Sequence, residues 1–185
     1  MLPLNESILR KERFNIRQIF VERCIVIMVL ITGLNMLLIT GASGRIARRA
    51  AALLAQRGYS LRLMTRHPQQ APAVDGAEVV RGDFAEPATL DGAFAEVSAA
   101  LVISGSGKPG ERAQLHRNAF EAAVRARVRH VVYLSLQGAS PRSKYPYSRD
   151  HSLSEQYLAA TGLPYTCCET HSIWICFWRN SMSKG

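Results

Sequence analysis

The segment Leu37-Leu38-Ile39-Thr40-Gly41-Ala42-Ser43-Gly44-Arg45-Ile46-Ala47 decides how the rest of the chain is read. A short apolar run stops at a glycine, a turn of small residues follows, and an amphipathic stretch begins at once, which is the pattern of strand, tight turn and helix. Glycine at 41 admits a backbone angle that other residues resist. Glycine at 44 lets an anion approach bare main chain at the positive end of the coming helix. A pyrophosphate suits such a turn, although glycines also close strand-to-helix turns that bind nothing.

Outward from this segment, 185 residues with 48% apolar content predict one main domain with a full core. The net charge of +9 is spread through helices and turns without interleaved aromatic residues, so no nucleic-acid partner is expected; the same field favours an anionic dinucleotide. Four cysteines, Cys24, Cys167, Cys168 and Cys176, show neither a disulfide framework nor metal-ligand spacing. A reducing cytoplasm fits that usage.

Residues 1–35 read as an N-terminal extension, loosely structured or helical. Uncharged sequence from Cys24 to Gly44 raises the possibility of a membrane span, but residues 37–41 are needed for the first strand, and the reading disfavours insertion. Leu-Ile-Thr-Gly occurs at 30–33 and again at 38–41; only the second copy is followed by a glycine turn. Gly44 to Arg57 is a helix with Ile46, Ala50, Leu53 and Leu54 at core spacing, closed by Gly58. A second strand, Ser60 to Thr65, ends at Arg66. At that strand tip an acid would hold a ribose 2′-hydroxyl, whereas arginine suits a 2′-phosphate. The chain has Arg66 there and Arg45 in the turn, a pair that favours NADP over NAD unless both are plain surface arginines.

A third strand over 77–81 leads into Gly82-Asp83-Phe84, where Asp83 either caps a helix near Pro87 or accepts from an adenine amino group. The fourth strand, 98–103, opens into Ser104-Gly105-Ser106-Gly107-Lys108, which lacks phosphate-loop spacing but lies at a carboxyl strand end, where ligands bind in such sheets. A helix over 111–127, a strand over 130–136, a helix over 147–160 with Leu153, Tyr157 and Leu158 inward, and a strand over 163–168 complete the alternation. This is an α/β fold with a doubly wound, mostly parallel sheet. Beyond Cys168 the pattern dissolves.

Taken together, Thr40 to Ala47, Thr65-Arg66, Gly82-Asp83-Phe84, Gln114-x-His116-Arg117-Asn118, His130 to Ser135 and His151 to Thr166 resemble the NmrA-like and quinone-oxidoreductase-like branch of the atypical short-chain dehydrogenases/reductases. The likeness covers residues 36 to about 166. It implies a Rossmann domain binding NADP(H), with NAD(H) second, that either reduces a quinone or other small carbonyl substrate or, without turnover, senses the cofactor for a regulatory protein partner. A homodimer is compatible with it. Carried onto this chain, Gly41, Ser43, Gly44, Arg45 and Ile46 would hold the pyrophosphate side, Arg66 the 2′-phosphate, Asp83 and Phe84 the adenine, and Ser104 and Gly105 the nicotinamide side.

The chain departs from the wider superfamily where the chemistry is done. In place of Tyr-x-x-x-Lys it carries Tyr147-x-x-x-His151, whose members share a helix face and are the candidate catalytic pair. The alternative is that Tyr147 is a partly buried aromatic and His151 a hydrogen-bonding helix residue. Ser135 either orients a substrate carbonyl or satisfies backbone, the latter being favoured. Glu169 stands where relatives usually have arginine, and residues 167–185, with Trp174, Ile175, Phe177 and Trp178, form an atypical tail. The resemblance therefore implies a fold truncated at its carboxyl-terminal substrate lobe.

Overall fold

Apolar runs in this chain alternate with period two and are flanked by helices, and the computed structural model shows why both phases of the alternation are apolar. It describes residues 36–105, 107–170 and 176–181. The leader, the first Leu-Ile-Thr-Gly, the start of the uncharged stretch, Trp174 and Ile175 lie outside the described residues. Strands β1 (Leu37–Thr40), β2 (Leu61–Thr65), β3 (Glu78–Arg81), β4 (Ala99–Ile103), β5 (His130–Leu136), β6 (Tyr165–Thr170) and β7 (Cys176–Ser181) form one sheet in the order β3-β2-β1-β4-β5-β6-β7. The first six are parallel; β7 pairs antiparallel with β6. Four helices accompany them, α1 (Arg45–Gln56), α2 (Leu90–Phe94), α3 (Arg112–Arg125) and α4 (Pro146–Ala160).

Strands β1, β2, β4, β5 and β6 bury side chains on both faces of the sheet, whereas the edge strand β3 is largely exposed. Leu37, Ile39, Leu61, Leu63, Leu101 and Val132 meet Ala47, Ala50, Ala51 and Leu54 of α1 on one face. Leu38, Met64, Val102, Val131 and Tyr133 meet Phe94 of α2, Ala119, Phe120 and Ala123 of α3, and Leu158 of α4 on the other. A sheet covered on both sides is what a parallel, crossover-connected sheet requires. Alanines dominate the sheet-facing sides of α1 and α3, which lets these helices sit close to the strands. Adjacent Cys167 and Cys168 fall on opposite faces for the same reason of alternation.

The elements expected from sequence appear with boundaries moved by a residue or two, and three details differ. The helix after Asp83 is a 3-10 turn, Pro87–Thr89, running into the short α2. Regular structure also continues past Cys168, since β6 reaches Thr170 and β7 adds a seventh strand whose backbone covers the β6 edge. Finally, Leu153 was expected inward on α4, yet it is 40% exposed, and the buried face of that helix is polar: Ser148, Asp150, His151, Ser152 and Ser154, with Leu158. That polar face abuts α3 and β5. Among the described residues no helix is long and apolar enough to cross a membrane.

Candidate functional site

Sheet order reverses direction between β1 and β4, and the loops leaving the carboxyl ends of these two strands part there to leave a crevice. The floor is tied across the reversal by the Ile103 amide, which donates to Thr40 Oγ1 at 2.9 Å. Gly41 follows at φ +63°, a left-handed angle that costs an L side chain about 1–2 kcal/mol. The Gly44 amide returns to Gly41 O at 2.9 Å, and a Cβ on Gly44 would lie 3.1 Å from that same oxygen. A side chain at 44 would thus need the Gly41 carbonyl to give way by a few tenths of an ångström. Gly44 is the N-cap of α1 and brings no side chain to the helix end; the first turn holds no acid either. The amino-terminal amides of α1, at Arg45, Ile46 and Ala47, are left for a partner from outside the helix.

Around this end of α1, Ser43, Gly44, Arg45 and Ile46 are all exposed, Ile46 at 38% although its spacing suggested a core position. Arg66, at the tip of the neighbouring β2, is exposed too. Neither Arg45 nor Arg66 makes a hydrogen bond or ion pair among the described residues. The third arginine of this corner, Arg48, is spent on the fold: it donates to Ser43 O at 3.0 Å and to Gln70 O at 2.6 Å, bracing the glycine turn against the segment after β2.

On the far side of the crevice the loop after β3 folds on itself. Asp83 accepts from the Ala85 amide at 2.9 Å in a local turn, while Thr89 Oγ1 accepts from the Asp83 amide and donates to Glu86 O. Asp83 therefore does not cap a helix through its carboxylate. Phe84 is turned into the core, 8% exposed, with its ring under Gly105 and edge-on to His116 at 6.4 Å; its carbonyl accepts from Asn118 Nδ2 at 2.7 Å. What this loop offers a ligand is main chain and Asp83, with the phenyl ring serving as the support beneath Gly105. Ser104 and Gly105 continue from β4 half-buried.

Behind Gly105 lies a chain of buried polar groups that sequence reasoning did not assemble. The Gly105 amide donates to His116 Nε2 at 3.3 Å. His116, fully buried on α3, has Nδ1 2.8 Å from Ser154 Oγ and 3.0 Å from the Tyr133 hydroxyl. That hydroxyl is 2.8 Å from His151 Nδ1, and Ser154 donates on to Asp150 O at 2.7 Å. The Asp150 carboxylate accepts the Gly110 amide at 2.9 Å, so the loop between β4 and α3 is pinned from two directions. Burial, then His151 and Arg112, lowers His116 to about 3; burial and Arg112, opposed by Asp150, lower His151 to about 4, while burial raises Tyr133 well above the ordinary phenol range. Both histidines are neutral at physiological pH.

The expected pairing of Tyr147 with His151 along α4 takes a different form. His151 is bonded to Tyr133 of β5, whereas Tyr147 lies under the Arg112 guanidinium, 4.1 Å from its ring centre, and edge-on to Tyr145. Arg112 is held in place by its Nε donating to Gly107 O. Ser135, the next residue of β5 on the Tyr133 face, donates to Glu155 Oε1 of α4. A histidine amid the alanines of an otherwise apolar helix face, and a tyrosine in mid-strand, were the available signals for His116 and Tyr133; each needs a buried partner.

A glycine turn at a bare helix end, beside a strand tip without acid, is the arrangement expected of a dinucleotide site, and residues 41–171 match the family model described as NAD(P)H-binding. The chain belongs to the NAD(P)H-binding family. It is 33% identical over 135 residues to Quinone oxidoreductase 2 of Escherichia coli K12, covering 71% of this chain and 46% of that protein. It is 36% identical over 90 residues to an NmrA-like family domain-containing oxidoreductase of Aspergillus flavus, covering 46% and 29%. Among solved structures, the Citrobacter sp. triphenylmethane reductase complexed with NADP(H) superimposes with a TM-score of 0.65 at 27% identity, over 73% of this chain and 49% of that one. The resemblance to NmrA-like and quinone-oxidoreductase-like proteins and the Rossmann architecture both hold. The match spans less than half the length of each of these curated relatives.

Proposed function

We propose that this chain is the cofactor-holding half of an NADPH-dependent oxidoreductase that reduces a quinone or another small carbonyl compound. The observation that carries the reading is the α1 end: a glycine-closed turn, uncapped amides and two exposed arginines, Arg45 at the first position of α1 and Arg66 just past the end of β2, with no acid in the first turn of the helix. Gly41, Ser43, Gly44, Arg45 and Ile46 would hold the pyrophosphate, Arg66 with Arg45 the 2′-phosphate, and Asp83 the adenine side. Ser104 and Gly105 would border the nicotinamide; because the Gly105 amide is already given to His116, that residue offers its Cα and carbonyl. The cofactor supplies hydride when bound.

The polar face of α4 supplies the rest. His151, neutral and anchored through Nδ1, has Nε2 with no protein partner among the described residues, and this nitrogen is the group that would meet a substrate oxygen. Tyr147, four residues earlier and stacked beneath Arg112, borders the same helix face, and the guanidinium adds positive potential where a carbonyl oxygen gains charge. Titration with NADPH and NADH by fluorescence, followed by NADPH oxidation across a panel of quinones, tests the reading: tight NADPH binding with quinone-dependent turnover supports it. Cofactor binding without turnover in any member of the panel supports a second reading instead, a non-catalytic NADP(H)-sensing module that works through a protein partner. What favours that alternative is the engagement of Tyr147 by Arg112 instead of by a lysine or by His151.

A further inference from the structure

The buried polar chain behind the crevice is directional, and its direction follows from one backbone amide. An N–H of the main chain can only donate, so the Gly105 amide makes His116 Nε2 an acceptor. An imidazole that accepts at Nε2 carries its proton at Nδ1, and His116 must therefore donate from Nδ1 toward Ser154 Oγ and the Tyr133 oxygen, both within 3.0 Å. Ser154 sends its own proton to Asp150 O. The Tyr133 hydroxyl receives from His116 and has one proton to place; Ser154 Oγ is also in reach but already faces the His116 Nδ1 proton, which leaves the His151 Nδ1 lone pair at 2.8 Å as the acceptor.

We propose that His116 and Tyr133 are positioning residues that fix the tautomer of His151: three consecutive hydrogen bonds running from the Gly105 amide oblige His151 to accept at Nδ1 and to carry its proton on Nε2. Proton placement on α4 is thereby dictated by a loop of β4, and the two sides of the crevice, the loop that borders the nicotinamide and the nitrogen that meets substrate, are joined through the core. That functional consequence rests on the oxidoreductase reading; the tautomer assignment stands on the hydrogen bonds alone. The charged groups that bear on the chain, Arg112, Asp150 and Glu155, leave its direction intact, since Arg112 donates to Gly107 O, Asp150 accepts from Gly110 and Glu155 accepts from Ser135. The low proton affinity of both rings agrees with it, because a doubly protonated His116 would set an N–H against the Gly105 amide.

The test is a nitrogen-15 spectrum of the histidine rings in the full chain without cofactor at neutral pH, which reports which ring nitrogen bears hydrogen. The expected result is His116 protonated at Nδ1 and His151 protonated at Nε2. Tyr133→Phe should turn His151 into a tautomer mixture while His116 keeps its pattern, and Ser154→Ala should leave His151 unchanged. A wild-type His151 protonated at Nδ1 overturns the proposal with no variant needed. So does a change at His151 in Ser154→Ala, since the hydroxyl of Tyr133 would then have been donating to Ser154. Because no coenzyme or substrate enters the experiment, its failure is distinct from failure to bind NADPH or to turn over quinone.

Discussion

On the proposed reading the choice of coenzyme rests on Arg66 and Arg45, whose side chains have no other work among the described residues. The two exposed arginines, one just past β2 and one at the start of α1, would present guanidinium groups to a phosphate, and a charge-assisted contact of this kind contributes roughly 1.5–3 kcal/mol. Arg66→Ala is therefore expected to weaken NADPH binding by about tenfold or more while leaving NADH affinity within about twofold, as read by fluorescence titration. Equal loss for both coenzymes would remove Arg66 from the 2′-phosphate site. His116 and His151 make a second residue-scale prediction. Their folded-state proton affinities are depressed to about 3 and about 4, below the usual histidine value of 6.5, so the unfolded chain binds more protons throughout that interval. Their contribution to stability is complete above pH 6.5 and is lost as pH falls through the folded values, at roughly 1 kcal/mol per pH unit for each group. Urea midpoints measured from pH 7 to pH 4 should fall accordingly, and Tyr133→Phe should change that slope. A flat profile would contradict neutral burial of the two rings.

At the scale of elements, α1 and α4 illustrate what a pattern of residues discloses and what it conceals. The turn before α1 was readable because glycine at fixed offsets has few other physical explanations. Parallel strands were readable because burial on both faces leaves unbroken apolar runs such as His130-Val131-Val132-Tyr133-Leu134. The buried face of α4 was not, since Ser148, Asp150, His151, Ser152 and Ser154 look like a solvated face until their partners are known. Those partners are 17, 18 and 38 residues away along the chain for the Tyr133–His116, Tyr133–His151 and Ser154–His116 bonds, so no local period reports them. The hairpin strand β7 escaped for the opposite reason: Cys-Phe-Trp-Arg-Asn-Ser has no alternation to read. Element packing also hides a charge. Arg62, 8% exposed in mid-β2, donates to the carbonyls of Ala93 and Ala95 at the end of α2 and pairs with Glu78 at 2.7 Å. Arg62→Leu strips those carbonyls of their donor and should lower stability by about 2–4 kcal/mol in equilibrium denaturation, with coenzyme affinity preserved in the folded fraction. A change below about 0.5 kcal/mol would mean that α2 is capped by something else.

For the molecule as a whole, the sheet order places the α1 end, the β2 tip and the polar face of α4 around a single crevice at the carboxyl ends of the strands. On the proposed reading one side receives an anion and the other presents a neutral imidazole N–H, and Gly105 is joined to that imidazole through His116 and Tyr133. Binding to the folded state alone stabilises it by mass action, so a coenzyme that fits should raise the melting temperature in proportion to its affinity. The most direct measurement is calorimetric titration of the full chain with NADPH and with NADH under one set of conditions. The account predicts saturable binding of both at a single site, with NADPH at least about tenfold tighter. Absence of heat from either coenzyme at millimolar concentration in a folded sample, or tighter binding of NADH, would contradict it.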